Sequence, residues 1–298
     1  MLDRGHSLPR LVAVGAPSLP VAELLVGRRI EEATELLPRL FNLCRAAQEG
    51  ALRLALGIET AATEEALAQE LRREHVAKLF VVWPRHFGQP GVALPEDWKV
   101  DSERLLEAMF GPAASAPKTA EEVTGFLASD LGTAPLLRRI SECFPIGSAT
   151  CRPLPAPTPD LLWSGEAIEN STAARHLGAP AMLAIEASHG RGPLWRAWAR
   201  LEDLRAVLSG RLPRPDRPRR TYAIIPAARG SFAVQARAED GRLTFFRRVT
   251  PTDHLLVPGG ILEQCLATLP VDRQALSPLL LDILDPCSPL RLKEVRDA

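Results

Sequence analysis

The sequence is short of the features that most often announce a function. Its 36 basic residues are matched by 36 acidic ones, a formal net charge of zero. That balance removes the simplest electrostatic case for a nucleic-acid partner or an anionic membrane. No apolar run approaches the ~18–20 residues of a spanning helix, and Met1–Arg10 lacks the apolar core of a signal peptide. The expectation is a soluble cytoplasmic protein with no membrane insertion. The five cysteines, Cys44, Cys143, Cys151, Cys265 and Cys287, are few, odd in number and scattered. A disulfide framework is therefore not expected, and reduced thiols are.

Common catalytic signatures are also missing. There is no HExxH, no P-loop, no glycine-rich dinucleotide fingerprint and no G-x-S-x-G elbow. Zinc asks for about four nitrogen or sulfur ligands at short spacings. Cys143 and Cys151 flank Pro145 with no histidine near, and Cys143 reads as a helix-end thiol.

What is present is a helical pattern punctuated by 27 prolines. Leu11–Val14 reads as a short strand. Helical spacing covers Val21–Leu37, where Pro38 is expected to reset the backbone, and Cys44–Leu56, with Gly57 as its stop. Glu64–Val82 is the strongest helical signal and should end at Trp83–Pro84. Ser102–Phe110, Thr119–Leu131 and Pro193–Leu208 follow, the last amphipathic and capped by Gly210. Cys151–Asp160, with four prolines, must be irregular. Arg211–Arg220 is rich in arginine and proline. Lacking interleaved aromatics, it reads as a solvated linker in preference to a phosphate-binding strip. Thr221–Ile225 is then a strand, and residues 232–249 form a hairpin turning at Asp240–Gly241. Pro251 should end the sheet, with closing helices at Ile261–Leu266 and Leu276–Leu284.

Motifs near the two ends carry the functional signal. Gly27–Gln48 (GRRIEEATELLPRLFNLCRAAQ) resembles the segment of [NiFe]-hydrogenase large subunits that contains R-x-C-G-x-C…H. Arg39 falls on the arginine, Phe41 and Cys44 on the two cysteines, and Gln48 on the histidine. Leu284–Lys293 (LDPCSPLRLK) resembles the C-terminal D-P-C-x-x-C-x-x-H, with Cys287 and Leu290 on the cysteines and Lys293 on the histidine. Between them Gly165–Arg175 is similar to the E-T-G-x-x-A-R segment. Ala228–Arg229–Gly230 is similar to P-R-G, and Thr250–His254 to P-T-x-W-N, with Pro251 and Thr252 retained and His254 in place of tryptophan. A partner-binding or surface role and a metal role are both open for His254. The order of the matches is the family's order.

The departures define what the resemblance implies. Only two of the four thiolate positions that hold the hydrogenase metals are cysteine, so nickel is not expected here. The processing histidine is replaced, and no cleavable tail is evident. The chain is thus identified as a member of the HupK/HoxV-type maturation proteins, shortened paralogues of the large subunit. Leu71–Pro84 (LRREHVAKLFVVWP) resembles their R-E-H…D-W-P segment, with Val82 at the aspartate. The implied fold is mainly α with a small antiparallel β-hairpin (α+β). Residues 1–298 would form one large-subunit-like domain, with an N-terminal helical part at 1–90, a linker at 211–220, and the hairpin and C-terminal segment at 221–298.

The implied function is a non-catalytic scaffold that transiently holds an Fe(CN)2(CO) fragment. Cys44 and Cys287 would be its metal ligands. Arg229 would direct donors at cyanide, and Thr252 would add a hydroxyl. Cys44 matches a metal-bridging position and Cys287 a nickel-only one. Implied partners are the immature large subunit and small maturation chaperones. The alternatives are a metal-free chaperone or docking paralogue, and a residual redox or metal enzyme. Cys265, spaced helically from Ile261, reads as a core residue.

Overall fold

A computed structural model describes residues 10–15, 17, 19–58, 61–88 and 93–295; the leader reading made on Met1–Arg10 lies almost wholly outside them. In chain order the elements begin with strand β1 (Arg10–Gly15) and helices α1 (Val21–Leu25), α2 (Ile30–Arg39), α3 (Arg45–Ala55) and α4 (Ala61–Val76). A π-helical stretch, Ala77–Val82, runs into α5 (Trp83–Arg85). Next come α6 (Ser102–Phe110), α7 (Ala120–Ala128), α8 (Ala134–Cys143), α9 (Pro180–His189) and α10 (Pro193–Leu208). Strands β2 (Asp216–Arg219), β3 (Tyr222–Ala227), β4 (Gly230–Glu239) and β5 (Arg242–Val249) precede α11 (Pro251–Leu256), α12 (Ile261–Ala267), α13 (Ser277–Leu284) and β6 (Leu290–Val295).

The expected class holds, but the sheet is larger than a hairpin. β2-β3-β4-β5 form an antiparallel sheet, and β1 pairs separately with β6, Leu11 opposite Glu294 and Gly15 opposite Leu290. Asp240 and Gly241, both at positive φ, make the expected β4–β5 turn. Two apolar clusters result. One joins α2, α3 and the inner face of β3–β5, and the other gathers the C-terminal half of the α4 region, α6–α10, α12 and α13. Helix α10 packs against α4, α8, α9 and α13 and is buried almost all round, including Arg196, Arg200, Glu202 and Asp203. The amphipathic reading of this helix is therefore corrected: its polar side faces other protein groups.

Several boundaries also differ for local reasons. Val21–Leu37 is two helices, because the Gly27 N–H donates to Leu243 O and Arg28 O accepts from Leu243 N–H, pairing the break with β5. Pro38 does not end α2; it lies in the last turn, where only one amide bond is forfeited. Nor does Pro84 stop the α4 helix. The wide π turn before it accommodates a residue with no N–H, and the helix continues to Arg85. Within the strip Arg211–Arg220, residues 216–219 form edge strand β2, the setting in which a strand tolerates Pro218. Pro251 starts α11 instead of merely closing the sheet, with Thr250 and Asp253 forming a capping box.

Candidate functional site

Three remote chain segments meet beside the sheet. Cys44 is the N-cap of α3 and adopts a left-handed backbone (φ 54°, ψ 37°), uncommon for a residue with a Cβ. Its side chain does not cap the helix; the carboxylate of Glu70 on α4 does, accepting from Ala46 N–H (2.8 Å) and Ala47 N–H (3.3 Å). Glu70 thereby fixes the Cys44 corner from a neighbouring helix. Burial raises its pKa, against the pull of those two amides.

Arg229 comes from the tight β3–β4 turn, between paired Ala227 and Gly230. Gly230 is needed there: at φ 145° an added Cβ would lie 2.6 Å from Asn170 O. The guanidinium is buried. It donates through Nη1 to Cys44 Sγ (3.3 Å) and through Nη2 to Glu74 Oε2 (3.1 Å) and Asp285 Oδ1 (3.3 Å). Burial opposes its charge, but Asp285, Cys44 and Glu74 outweigh it, so the Arg229 pKa is raised.

Cys287 follows the end of α13, where Asp285 turns the chain in a left-handed conformation. Its N–H donates to Thr252 Oγ1 (2.7 Å), and the same hydroxyl lies 2.8 Å from Cys287 Sγ. With its oxygen occupied by the amide, the hydroxyl hydrogen is available to the sulfur. Thr252 itself is fixed in the first turn of α11. The structure thus brings Cys44, Cys287, Arg229 and Thr252 together. Burial pushes the Cys44 thiol up to about 12; Arg229 pulls it down, while Cys287 and Glu70 add to the rise.

The sequence reading missed the ionic frame around these residues. Asp285 pairs with Arg229 Nε (3.1 Å), Arg200 (2.9 Å) and Lys78 (3.0 Å). Burial works against the Asp285 carboxylate, yet Arg200, Arg229 and Lys78 lower its pKa to about 2. The signal was present, since Asp285 precedes Pro286 in the quoted motif and Glu74 lies in LRREH. Arg248 was also missed. It stacks 4.2 Å over the Phe41 ring and donates to Gln48 Oε1 (2.8 Å). Phe41 and Gln48, the replacements for a cysteine and a histidine, therefore form a seat for a guanidinium. Leu290 and Lys293 stand in β6, paired with β1, away from this seat. His254 is buried and bonded through Nδ1 to Asn170 Nδ2 (3.1 Å), which excludes a surface role.

A cavity of about 20 Å³ adjoins Arg229 and Thr252, with Asn170, Arg196, Pro251, Leu255 and Leu284 among its walls. It has room for one water-sized group. Among the described residues no group of three or more His, Cys, Asp or Glu is arranged to hold a metal ion. The sulfur donors here are two thiols.

No protein-family profile matches the chain. The hydrogenase expression/formation protein HupK of Rhodobacter capsulatus is 43% identical over 280 residues, which cover 94% of this chain and 92% of that protein. HoxV of Cupriavidus necator, also a hydrogenase expression/formation protein, is 34% identical over 119 residues, 38% of this chain and 31% of its own length. Among solved structures, the oxidised Ni-Fe-Se hydrogenase of D. vulgaris Hildenborough superposes with a TM-score of 0.58 at 12% identity, covering 93% of this chain and 98% of that one. A G50T variant of the D. vulgaris [NiFeSe] enzyme gives 0.55 at 13% identity, covering 95% and 99%. These structures share the fold. The identity to HupK along nearly the whole of both chains shows that this chain belongs to the HupK family of hydrogenase expression/formation proteins.

Proposed function

We propose that the chain is a non-catalytic accessory protein of [NiFe]-hydrogenase maturation, working in the cytoplasm. Its cargo would be an Fe(CN)2(CO) fragment held on Cys44 and Cys287 and passed to the immature large subunit, with small maturation chaperones as further partners. The observation that carries the reading is the convergence of two thiols with Arg229 and Thr252, from segments far apart in sequence. A bare ion in a two-sulfur site is under-coordinated. A fragment that already carries three strong-field ligands is not. Arg229 Nη1 and the Thr252 hydroxyl, directed here at Cys44 Sγ and Cys287 Sγ, would turn to cyanide nitrogens on loading. Pro251, Leu255 and Leu284 are the apolar part of the small cavity beside Arg229 and Thr252. The four-thiolate nickel set implied by the resemblance to [NiFe]-hydrogenase large subunits is reduced here to Cys44 and Cys287.

The protonation state fits a transient hold. Cys44 is a thiol when alone, because burial disfavours its anion. Uptake of iron must displace that proton, so loading and deprotonation are coupled.

The test is infrared spectroscopy of chain purified anaerobically after co-expression with the maturation proteins. Cyanide and carbonyl stretching bands are expected in the wild type and should vanish in Cys44→Ala and in Cys287→Ala. A wild type with no bands that still captures the immature large subunit would favour the metal-free docking reading. Hydrogen uptake by the isolated chain would overturn both.

A further inference from the structure

Two further buried cysteines take no part in the site above, and the fold makes them a pair. The segment around Cys151 is stitched to α12 on both flanks. Ala149 N–H donates to Thr268 O (3.2 Å), Thr150 N–H to Thr268 Oγ1 (2.8 Å), and Arg152 N–H to Gln264 Oε1 (3.0 Å). Thr268 Oγ1 also donates back to Thr150 O (2.8 Å). Gln264 and Thr268 bracket Cys265 as Thr150 and Arg152 bracket Cys151. The bonds therefore hold the two cysteine-bearing segments side by side, and each thiol acts on the other's ionisation. Arg196 of α10 completes the cluster. Its Nη2 donates to Cys151 Sγ at 3.0 Å, and the fork is held by Glu169 at 2.9 and 3.1 Å.

The two sulfurs are not equivalent. Cys151 keeps 7% of its surface exposed and Cys265 none. The hydrogen bond from Cys265, and after it the Arg196 charge, lower the Cys151 thiol against the effect of burial and of Glu169. Donating that bond, together with burial, raises Cys265 well above the ordinary thiol range. Arg191 turns only its carbonyl to Cys151 and spends its guanidinium on Glu186. This is the division of labour of an attacking and a resolving cysteine.

We propose that Cys151 and Cys265 are a redox-active dithiol, which a hydroperoxide converts to an intramolecular disulfide. The Cys151 thiolate attacks one oxygen of hydrogen peroxide and the O–O bond breaks. The departing hydroxide takes the proton that the Cys151 thiol released, giving water and a sulfenic acid on Cys151. The Cys265 sulfur then attacks the Cys151 sulfur, the S–O bond breaks, and the hydroxyl leaves as a second water with the Cys265 proton. The two thiols lose two electrons and the peroxide gains them. The couple is placed to be felt at the first site, because Arg196 lines the same cavity as Arg229 and Thr252. Oxidation removes the thiolate facing one wall of that cavity.

Stoichiometric hydrogen peroxide on the reduced full-length chain, followed by alkylation and peptide mass mapping, tests this. A Cys151–Cys265 cross-linked peptide, lighter by two hydrogens, should form about tenfold faster than any change at Cys44, Cys143 or Cys287. In Cys265→Ser a sulfenic acid should accumulate on Cys151 and react with dimedone. Arg196→Met should move the pH midpoint of Cys151 alkylation up by about one unit or more. Oxidation of the other thiols with this pair still reduced would overturn the proposal, and so would wild-type Cys151 reacting no faster than Cys143. The wild-type map decides the matter even if a variant fails to fold.

Discussion

Acid should weaken this protein through one buried histidine. His75 on α4 is wholly buried, with Nε2 2.7 Å from Asp203 Oδ2 and Nδ1 3.3 Å from Arg200 Nη1. A guanidinium has only donors, so Nδ1 must be the acceptor and the single ring proton lies on Nε2, toward Asp203. The imidazole is therefore neutral. Burial is the largest cause, opposed by Asp203, and the pKa falls from 6.5 to about 4. Unfolded chain takes up a proton at this residue below pH 6.5, and folded chain does not until near 4. The unfolded state thus binds more protons in that window, and stability drops as pH falls through it. From about pH 7.5 to about pH 5 the loss attributable to His75 is about 2 kcal/mol. Urea unfolding at both pH values, for wild type and for His75→Gln, isolates it. Glutamine keeps one donor and one acceptor without a titrating ring. The wild type should lose about 2 kcal/mol more than the variant. Equal losses, or a wild type that is stabilised by acid, would show that the ring is charged against Asp203 and refute the reasoning.

Two further outcomes follow from the site's geometry. Arg229→Met leaves Glu74 and Asp285 facing a lost cation, and Asp285 buried; denaturant unfolding should show a loss of about 3–5 kcal/mol, with Arg229→Lys recovering part of it. Thr252→Val removes the acceptor of the Cys287 N–H and should cost about 1–2 kcal/mol in the same assay, whereas Thr252→Ser should lie close to wild type.

Local chemistry was legible wherever a single segment decides it. Asp101 and Thr119 cap α6 and α7 by accepting from Arg104 and Glu122 N–H, as short polar side chains before a helical pattern should. Asp240–Gly241 makes its hairpin. What the periodicity hid was decided by distant partners. Helices α8 and α9 carry no strong start signal of their own beyond a proline in the first turn; α9 was not read, and α8 only at its end, where Cys143 stands as expected. β6 is a strand because β1, at the other end of the chain, offers it an edge. The four residues quoted from motifs were legible as a set through their order along the chain. Their ionic frame was not. Arg200, Glu202 and Asp203 on α10 look in sequence like the solvated face of an amphipathic helix, and only the packing of α4 and α13 against them turns that face inward.

That frame also bears on how a scaffold lets go. Around Arg229 the charges are already paired: Arg229, Arg200 and Lys78 face Asp285 and Glu74, with the partly exposed Asp282 sharing Lys78 at 3.3 Å. Arg248, bonded to the neutral Gln48, is the cation left to face an anionic sulfur at Cys287. Turning Cys44 into a thiolate puts an anion at a buried position that Arg229 only partly offsets. On the cargo reading, the held state is thus opposed by the protein's own electrostatics and by the proton that Cys44 regains when iron leaves. The left-handed backbone at Cys44 and at Asp285, two residues before Cys287, fixes the thiols in advance, so little ordering is needed on loading. On that reading, pre-set geometry with a buried thiolate would favour ready release over storage.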